Sequence, residues 1–129
     1  MPSGPRGPIR EPIAPSSVAL LGLAVQQTPR GPIAKGGLTD RYLSDYPNMH
    51  GDLSANSGLN ALTRDEAFTR DFLARHQNKL VFGSDCTDVE GRGPACQGAQ
   101  TIGAIRRLSV DKNIERKLLH DNARKLLRL

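Results

Sequence analysis

The chain has 129 residues, enough for one modest domain, and 37% of them are hydrophobic, which is enough to build a core. Its net charge of +5 and its pI near 9.7 would suit a nucleic-acid-binding protein if the cations were clustered. The cations are instead spread along the chain, and only 4% of the residues are aromatic, so few side chains could stack on bases. We therefore expect no nucleic-acid partner.

The N-terminal part of the chain differs in texture from the rest. Seven of the nine prolines lie within the first 32 residues, and residues 1–15 show no apolar periodicity. We predict an irregular arm over residues 1–36 and a folded part over residues 37–129. Within the arm, the apolar run 18–25 (VALLGLAV) weakly resembles a secretory signal, the alternative being a short buried strand or a stray extension.

The number of cysteines and the length of the apolar runs indicate the cellular compartment in which the protein is expected. Cys86 and Cys96 are too few for a disulfide framework and do not form a C-x-x-C pair, so we expect ordinary reduced thiols of an intracellular protein. No stretch of the sequence approaches the ~20 apolar residues of a membrane span. The expectation is a cytoplasmic protein without a membrane partner.

The folded part is predicted to begin with a strand, a helix and a second strand. Residues 49–53 (MHGDL) follow a turn signal and have the length of a strand, and a polar loop is predicted over 54–60. Thr63 and Glu66 have the spacing of a capping box, which predicts a helix that ends near Arg75. The apolar run 79–83 (KLVFG) predicts a strand that is covered on both faces. This order of elements predicts a parallel crossover unit.

Beyond the second strand, a polar and glycine-rich loop over residues 84–98 leads into helices. Ile102, Ile105 and Leu108 recur at a spacing of three, which predicts a helix. Asp111 can cap the following segment, and a last short helix is predicted over residues 122–129. Two parallel strands alone leave backbone edges unpaired, so we expect this piece to belong inside something larger.

Three blocks of this part are YPNMHGDLSANSG (46–58), KLVFGSDC (79–86) and LLHDNARKLLRL (118–129). In sequence, order and spacing they resemble the end of proteins in the amidohydrolase-related family, metal-dependent TIM-barrel hydrolases. The resemblance implies an α/β fold, the C-terminal part of a (β/α)8 TIM barrel, whose seventh and eighth strands are the first two blocks. It also implies a divalent metal, with zinc as the expected ion, and a carbonyl compound as substrate, or a carboxylic acid in members that decarboxylate.

Both the family resemblance and the chemistry of barrel active sites point to Asp85 as a functional residue. The resemblance implies that it matches the family's catalytic aspartate at the end of the eighth strand. TIM barrels place working residues at the carboxyl ends of strands, where a carboxylate can bind a divalent cation or accept a proton from metal-bound water. We therefore expect Asp85 to be both a catalytic residue and a metal ligand. From the spacing alone, a turn capped by Ser84 or Asp85 remains open.

Other polar residues lie in the loops that follow the two strands. Ser54, Asn56 and Ser57 follow the seventh strand at its catalytic end, where they are expected to line the substrate. Arg92 lies in the loop after the eighth strand and could pair with an anionic group of the substrate. The alternative for each is a loop residue without a function, since Ser, Asn and Gly favour turns.

The remaining metal ligands are missing from this sequence. Family members supply them from earlier strands, beginning with a His-x-His pair on the first, and no such pair exists here. The three histidines, His50, His76 and His120, are interpreted as surface or packing residues. We therefore expect a fragment of a hydrolase, inactive alone, such as a truncated gene product. The alternatives are a non-enzymatic interaction module and a basic nucleic-acid-associated protein.

Overall fold

The computed structural model describes residues 30–86, 90 and 96–129, together with the backbone of a strand at 19–22. No helix in this described part is long and apolar enough to cross a membrane. The elements in chain order are β1 (Ala19–Gly22), α1 (Leu38–Asp45), β2 (Met49–Asp52), α2 (Ala55–Thr63), α3 (Glu66–Arg75), β3 (Leu80–Val81), α4 (Gln97–Leu108), α5 (Lys112–Arg116), a π-helical turn (Lys117–Asp121) and α6 (Asn122–Leu127).

The three strands form one parallel sheet in the order β1-β2-β3. Between β2 and β3, the Gly51 N–H donates to the Lys79 carbonyl at 2.8 Å and the Leu53 N–H donates to the Val81 carbonyl at 3.0 Å. The predicted parallel pairing of these two strands is confirmed, although β3 is shorter than the apolar run 79–83. The fold is thus α/β with a parallel sheet, as predicted.

Strand β1 corrects the prediction for the N-terminal arm. Ala19–Gly22 pairs in parallel with β2, with Ala19 opposite Met49 and Gly22 opposite Asp52. The prediction of an irregular arm over residues 1–36 is therefore wrong for residues 19–22. The strand lies inside the run that weakly resembled a signal, where a strand was the alternative. Its pairing partner is about thirty residues away, and such tertiary pairing leaves little trace in the local pattern. Residues 1–18 and 23–29 lie outside the described part.

A helix replaces the polar loop predicted over residues 54–60. Helix α2 begins after Ser54, and the Gly58 N–H donates to the Ser54 carbonyl at 3.1 Å. The buried Leu62 and the partly buried Leu59 pack into the core, and this burial outweighs the turn preference of the Ser, Asn and Gly residues. The next helix, α3, is capped by Asp65, whose Oδ1 accepts from the Phe68 N–H at 3.1 Å, and not by Thr63. Its end at Arg75 is confirmed.

The hydrophobic core lies between the sheet and the helices. Leu53, Leu73, Leu80, Leu108 and Leu118 are almost fully inaccessible to solvent. Gly51 faces this core, because a Cβ atom there would lie 2.8 Å from Leu80 Cδ2. Successive residues of a strand point to opposite faces, so the side chains on either side of Gly51 in β2 face away from the helices.

The closing helices also cover the outer edge of β3. Helix α4 and the helix capped by Asp111, whose Oδ1 accepts from the Ile114 N–H at 2.8 Å, are confirmed. The buried Asn122 side chain donates to the carbonyls of Gln77 and Leu80, at 2.7 and 2.8 Å. The Phe82 N–H donates to the Leu118 carbonyl at 3.0 Å. These bonds pair backbone groups on the side of β3 away from β2, an edge for which the sequence predicted no partner.

Candidate active site at the strand ends

Asp52 is the last residue of β2, and its carboxylate is held by the residue that starts the next helix. The Ser54 backbone N–H donates to Asp52 Oδ1 and the Ser54 hydroxyl donates to Asp52 Oδ2, both at 2.9 Å. Asp52 follows Gly51, so it lies on the face of the sheet away from the helices. Two hydrogen bonds therefore fix the orientation of a carboxylate at the carboxyl end of a parallel strand.

The chain after β3 passes close to this carboxylate. A Cβ atom on Gly83 would lie 2.9 Å from Ser54 Cβ and 3.0 Å from Asp52 Oδ1. Glycine is the residue that allows so close an approach of backbone to side chain. The segments 52–54 and 83–86 therefore adjoin, and we call them together the rim.

Asp85 lies in the rim, four residues beyond the end of β3. Its backbone adopts the left-handed conformation, with φ at 52°, and the residue is exposed. The Gln97 side-chain amide donates to the Asp85 carbonyl at 3.5 Å, which links the residue to the start of α4. The Cys86 N–H donates to the Ser84 hydroxyl at 3.5 Å, so Ser84 makes a local turn bond. Asp85 thus stands at the carboxyl end of β3, at the surface of the described part.

The two cysteines form a disulfide, and the prediction of reduced thiols is wrong. Cys86 and Cys96 are bonded, with their Cα atoms 5.6 Å apart, and the chain has no free cysteine. Cys96 is 3% exposed, and the Gly98 N–H donates to Cys86 Sγ at 3.3 Å. Sequence spacing alone cannot show such a bond, because it depends on whether the fold brings the two Cβ atoms to within about 4 Å of each other, so that the sulfurs can bond.

The structure separates the residues predicted to line the substrate. Ser54 lies in the rim beside Asp52, whereas Asn56 is exposed in the first turn of α2. Ser57 lines a different cavity, of about 270 Å³, between α1, α2 and α3. Arg92 lies outside the described residues. Of the three side chains that the structure describes, Ser54 is the one at the rim.

The metal implied by the resemblance can be tested against the side chains of the rim. Within residues 30–86, 90 and 96–129, no three His, Cys, Asp or Glu side chains come together as a metal site would require. Asp52 and Asp85 supply carboxylates of a suitable kind, but they do not make a complete site. The described residues therefore fit part of a metal site only.

Two residues of β2 were missed by the sequence reasoning. Asp52 lay within the predicted strand but was not recognised as a rim carboxylate; its place one residue before the strand's predicted end was the available signal. His50 lies two residues earlier on the same face. Its Nδ1 atom is buried, with no hydrogen-bond partner among the described residues. His50 was expected to be a surface or packing histidine, and a buried imidazole nitrogen without a partner is unusual for either.

A charge cluster lies between α1 and α3. Asp40 Oδ1 is 2.5 Å from Arg75 Nη1 and 2.6 Å from His76 Nε2. The hydrogen bond from Arg75 lowers the pKa of Asp40, with a smaller contribution from His76. His76 is buried against Phe72, as expected of a packing histidine. This cluster ties two helices together and includes no residue of the rim.

Comparison with known protein families gives a match that covers more than half of the chain. The model of the amidohydrolase family matches residues 41–129, from α1 to the C-terminal residue. The chain belongs to the amidohydrolase family, as the sequence blocks predicted. The comparisons with curated proteins and with solved structures return no match.

Proposed function

We propose that this chain is part of a metal-dependent hydrolase of the amidohydrolase type, with Asp85 as a catalytic residue and metal ligand. The position of Asp85 at the carboxyl end of a parallel strand, within the family match, carries the proposal. The expected substrate is a carbonyl compound such as an amide, ester or lactone, or a carboxylic acid if the enzyme decarboxylates. The proposal includes no nucleic-acid partner.

The parallel sheet supports a barrel origin for this piece. β1, β2 and β3 run in parallel, and the leucines of the core lie between the sheet and its helices. Parallel strands with crossover helices are the repeating unit of a (β/α)8 barrel. In such a barrel the face that bears His50 and Asp52 would be the interior. The rim would then be the catalytic mouth.

The residues of this chain would contribute two carboxylates to that mouth. Ser54 orients Asp52 through two hydrogen bonds, and Asp85 stands on the neighbouring segment. A bound divalent ion, zinc being the first to test, would supply an activated water for attack on a carbonyl carbon. Because the described residues offer fewer than three clustered ligands, we propose that this chain alone is inactive and needs ligands from outside them.

Paramagnetic metal binding tests the position of the site without requiring activity. Mn²⁺ prefers carboxylate oxygens and broadens the NMR signals of nearby amides. We expect substoichiometric Mn²⁺ to broaden the amides of the rim first, 52–54 and 83–86. Asp85→Asn should remove this broadening, whereas Asp45→Asn, at an exposed position in α1, should leave it unchanged.

Two results would contradict the proposal. Broadening that is confined to other carboxylates, or that survives in Asp85→Asn, would remove Asp85 from any metal site. Stoichiometric zinc retained by the isolated chain would contradict the proposal that its metal site is incomplete.

Hydrolysis can be assayed after coexpression with a polypeptide of the same family that supplies the His-x-His strand. A metal-dependent activity that Asp85→Asn abolishes is the expected result.

A further inference from the structure

The Cys86–Cys96 disulfide joins the rim to a helix, and one of its cysteines is partly exposed whereas the other is buried. Cys86 directly follows Asp85 and is partly exposed, whereas Cys96 immediately precedes α4 and is 3% exposed. The bond therefore anchors the end of the rim covalently to the first turn of α4. Because Cys86 is the more exposed of the two residues, we expect a nucleophile from solvent to approach the bond from its side.

The packing around Cys86 keeps its sulfur against α4. The Gly98 N–H donates to Cys86 Sγ at 3.3 Å. A Cβ atom on Gly98 would lie 3.0 Å from that sulfur and 2.6 Å from Ser84 Cβ. A glycine is thus required where the rim meets the helix, because any side chain would push the two apart. The Gly98 N–H also offers a hydrogen bond to a sulfur that carries negative charge.

We propose that this disulfide is a site of thiol–disulfide exchange in the folded protein, with Cys86 as the sulfur that is attacked and a dithiol as the reductant. The thiolate of the reductant attacks Cys86 Sγ, and the Cys86–Cys96 bond breaks. Cys96 leaves as a thiolate and takes a proton from water. The second thiol of the reductant then attacks the reductant's first sulfur, which is bonded to Cys86 in the mixed disulfide. Cys86 is released as a thiolate and takes up a proton. The protein disulfide gains two electrons and becomes two thiols, while the dithiol is oxidised to a disulfide.

Exchange at this position would release Asp85 from its covalent anchor. Asp85 is bonded to Cys86 and holds a left-handed backbone conformation, while Gln97 of α4 donates to its carbonyl. In the oxidised form the disulfide fixes the distance between these two segments. In the reduced form the hydrogen bonds from Gly98 and Gln97 remain as the links. The exchange chemistry stands independently of the proposed hydrolase function.

Trapping the mixed disulfide tests the proposal on the whole chain. The protein, purified without reductant, is incubated briefly under native conditions with glutathione, a monothiol that can complete the second step only through a second molecule. Iodoacetamide is then added together with urea, so that the buried Cys96 thiol is also blocked, and peptide mass spectrometry locates each group. We expect glutathione on Cys86 and the alkyl group on Cys96, in about tenfold excess over the reverse arrangement. Equal labelling, or glutathione mainly on Cys96, would overturn the proposal.

Two other results would overturn the proposal of thiol–disulfide exchange. One is a protein that is purified with two free thiols, and the other is a bond that is reduced only when urea unfolds the chain.

A substitution at Gly98 tests the packing around the disulfide. Gly98→Ala should speed the reaction at Cys86 severalfold, because the added methyl group displaces the sulfur from α4. Gly103→Ala is the matched control in the same helix, since a Cβ there meets nothing within 4 Å, and it should leave the rate unchanged.

Discussion

The core side of the sheet and the rim are built in different ways. Leu53 and Leu80 point into the core, where each is 0% exposed and is held by packing against the helices. A few residues further along the same two segments, Ser54 and Asp85 belong to the rim, where hydrogen bonds, a glycine and a disulfide hold the backbone. The difference teaches that burial fixes the scaffold, while a few specific backbone contacts fix the position of the candidate catalytic groups.

Leu80→Ala should have the largest effect on the core side. Leu80 is 0% exposed, and it also lies against Gly51 across the sheet. We expect the free energy of unfolding to fall by about 2–5 kcal/mol, because the substitution leaves a cavity in a packed core. Urea denaturation measures this, with Leu127→Ala, at a position that is 64% exposed, as the control. A loss equal to that of the control would mean that Leu80 is not a core residue.

Gly58→Ala should have the next largest effect on stability, and it tests how tightly α2 packs against the end of β2. A Cβ atom on Gly58 would lie 2.3 Å from the Leu53 carbonyl oxygen, which is backbone and cannot rotate away. Alanine ordinarily stabilises a helix by up to about 1 kcal/mol relative to glycine. Here we expect a loss of about 1–3 kcal/mol because of the overlap. Gly103→Ala should show the ordinary gain, and a gain at both positions would refute the close contact.

The same division between core and rim explains what could be predicted from the sequence. The continuous apolar run around Leu80 predicted β3 and the apolar repeat around Ile105 predicted α4, because burial imposes a recognisable apolar pattern on the residues of an element. The disulfide and the close approach at Gly83 left no such pattern, since each depends on two segments that meet only in the fold. Asp85 was predicted through family resemblance and stays a prediction, whereas Asp52 was not singled out, because a strand pattern does not show which side chain lies at the end of the strand.

Asp40→Asn should have a smaller effect that depends on pH. The hydrogen bond from Arg75 lowers the pKa of Asp40 below its ordinary value of 3.8. The ionised carboxylate therefore stabilises the fold above that value, and this contribution disappears as the pH falls through the lowered pKa. We expect Asp40→Asn to lose about 1 kcal/mol at neutral pH, with the gap to the native chain narrowing below about pH 4. Asp45→Asn is the control, and a gap that does not change with pH would exclude this charge effect.

Asp85→Asn should have the smallest effect on stability, although it should abolish metal binding at the rim. Asp85 is exposed, and asparagine tolerates the left-handed conformation at least as well as aspartate, so we expect a change within about 0.5 kcal/mol. Asp85→Ala should cost about 1 kcal/mol, because alanine lacks a polar side chain that eases this backbone conformation. Both variants should lose the Mn²⁺ broadening equally. If both variants lose metal binding equally but differ in stability, the carboxylate is needed for the metal and a polar side chain eases the left-handed backbone conformation. A large loss of stability in Asp85→Asn would instead show that the residue has a structural role.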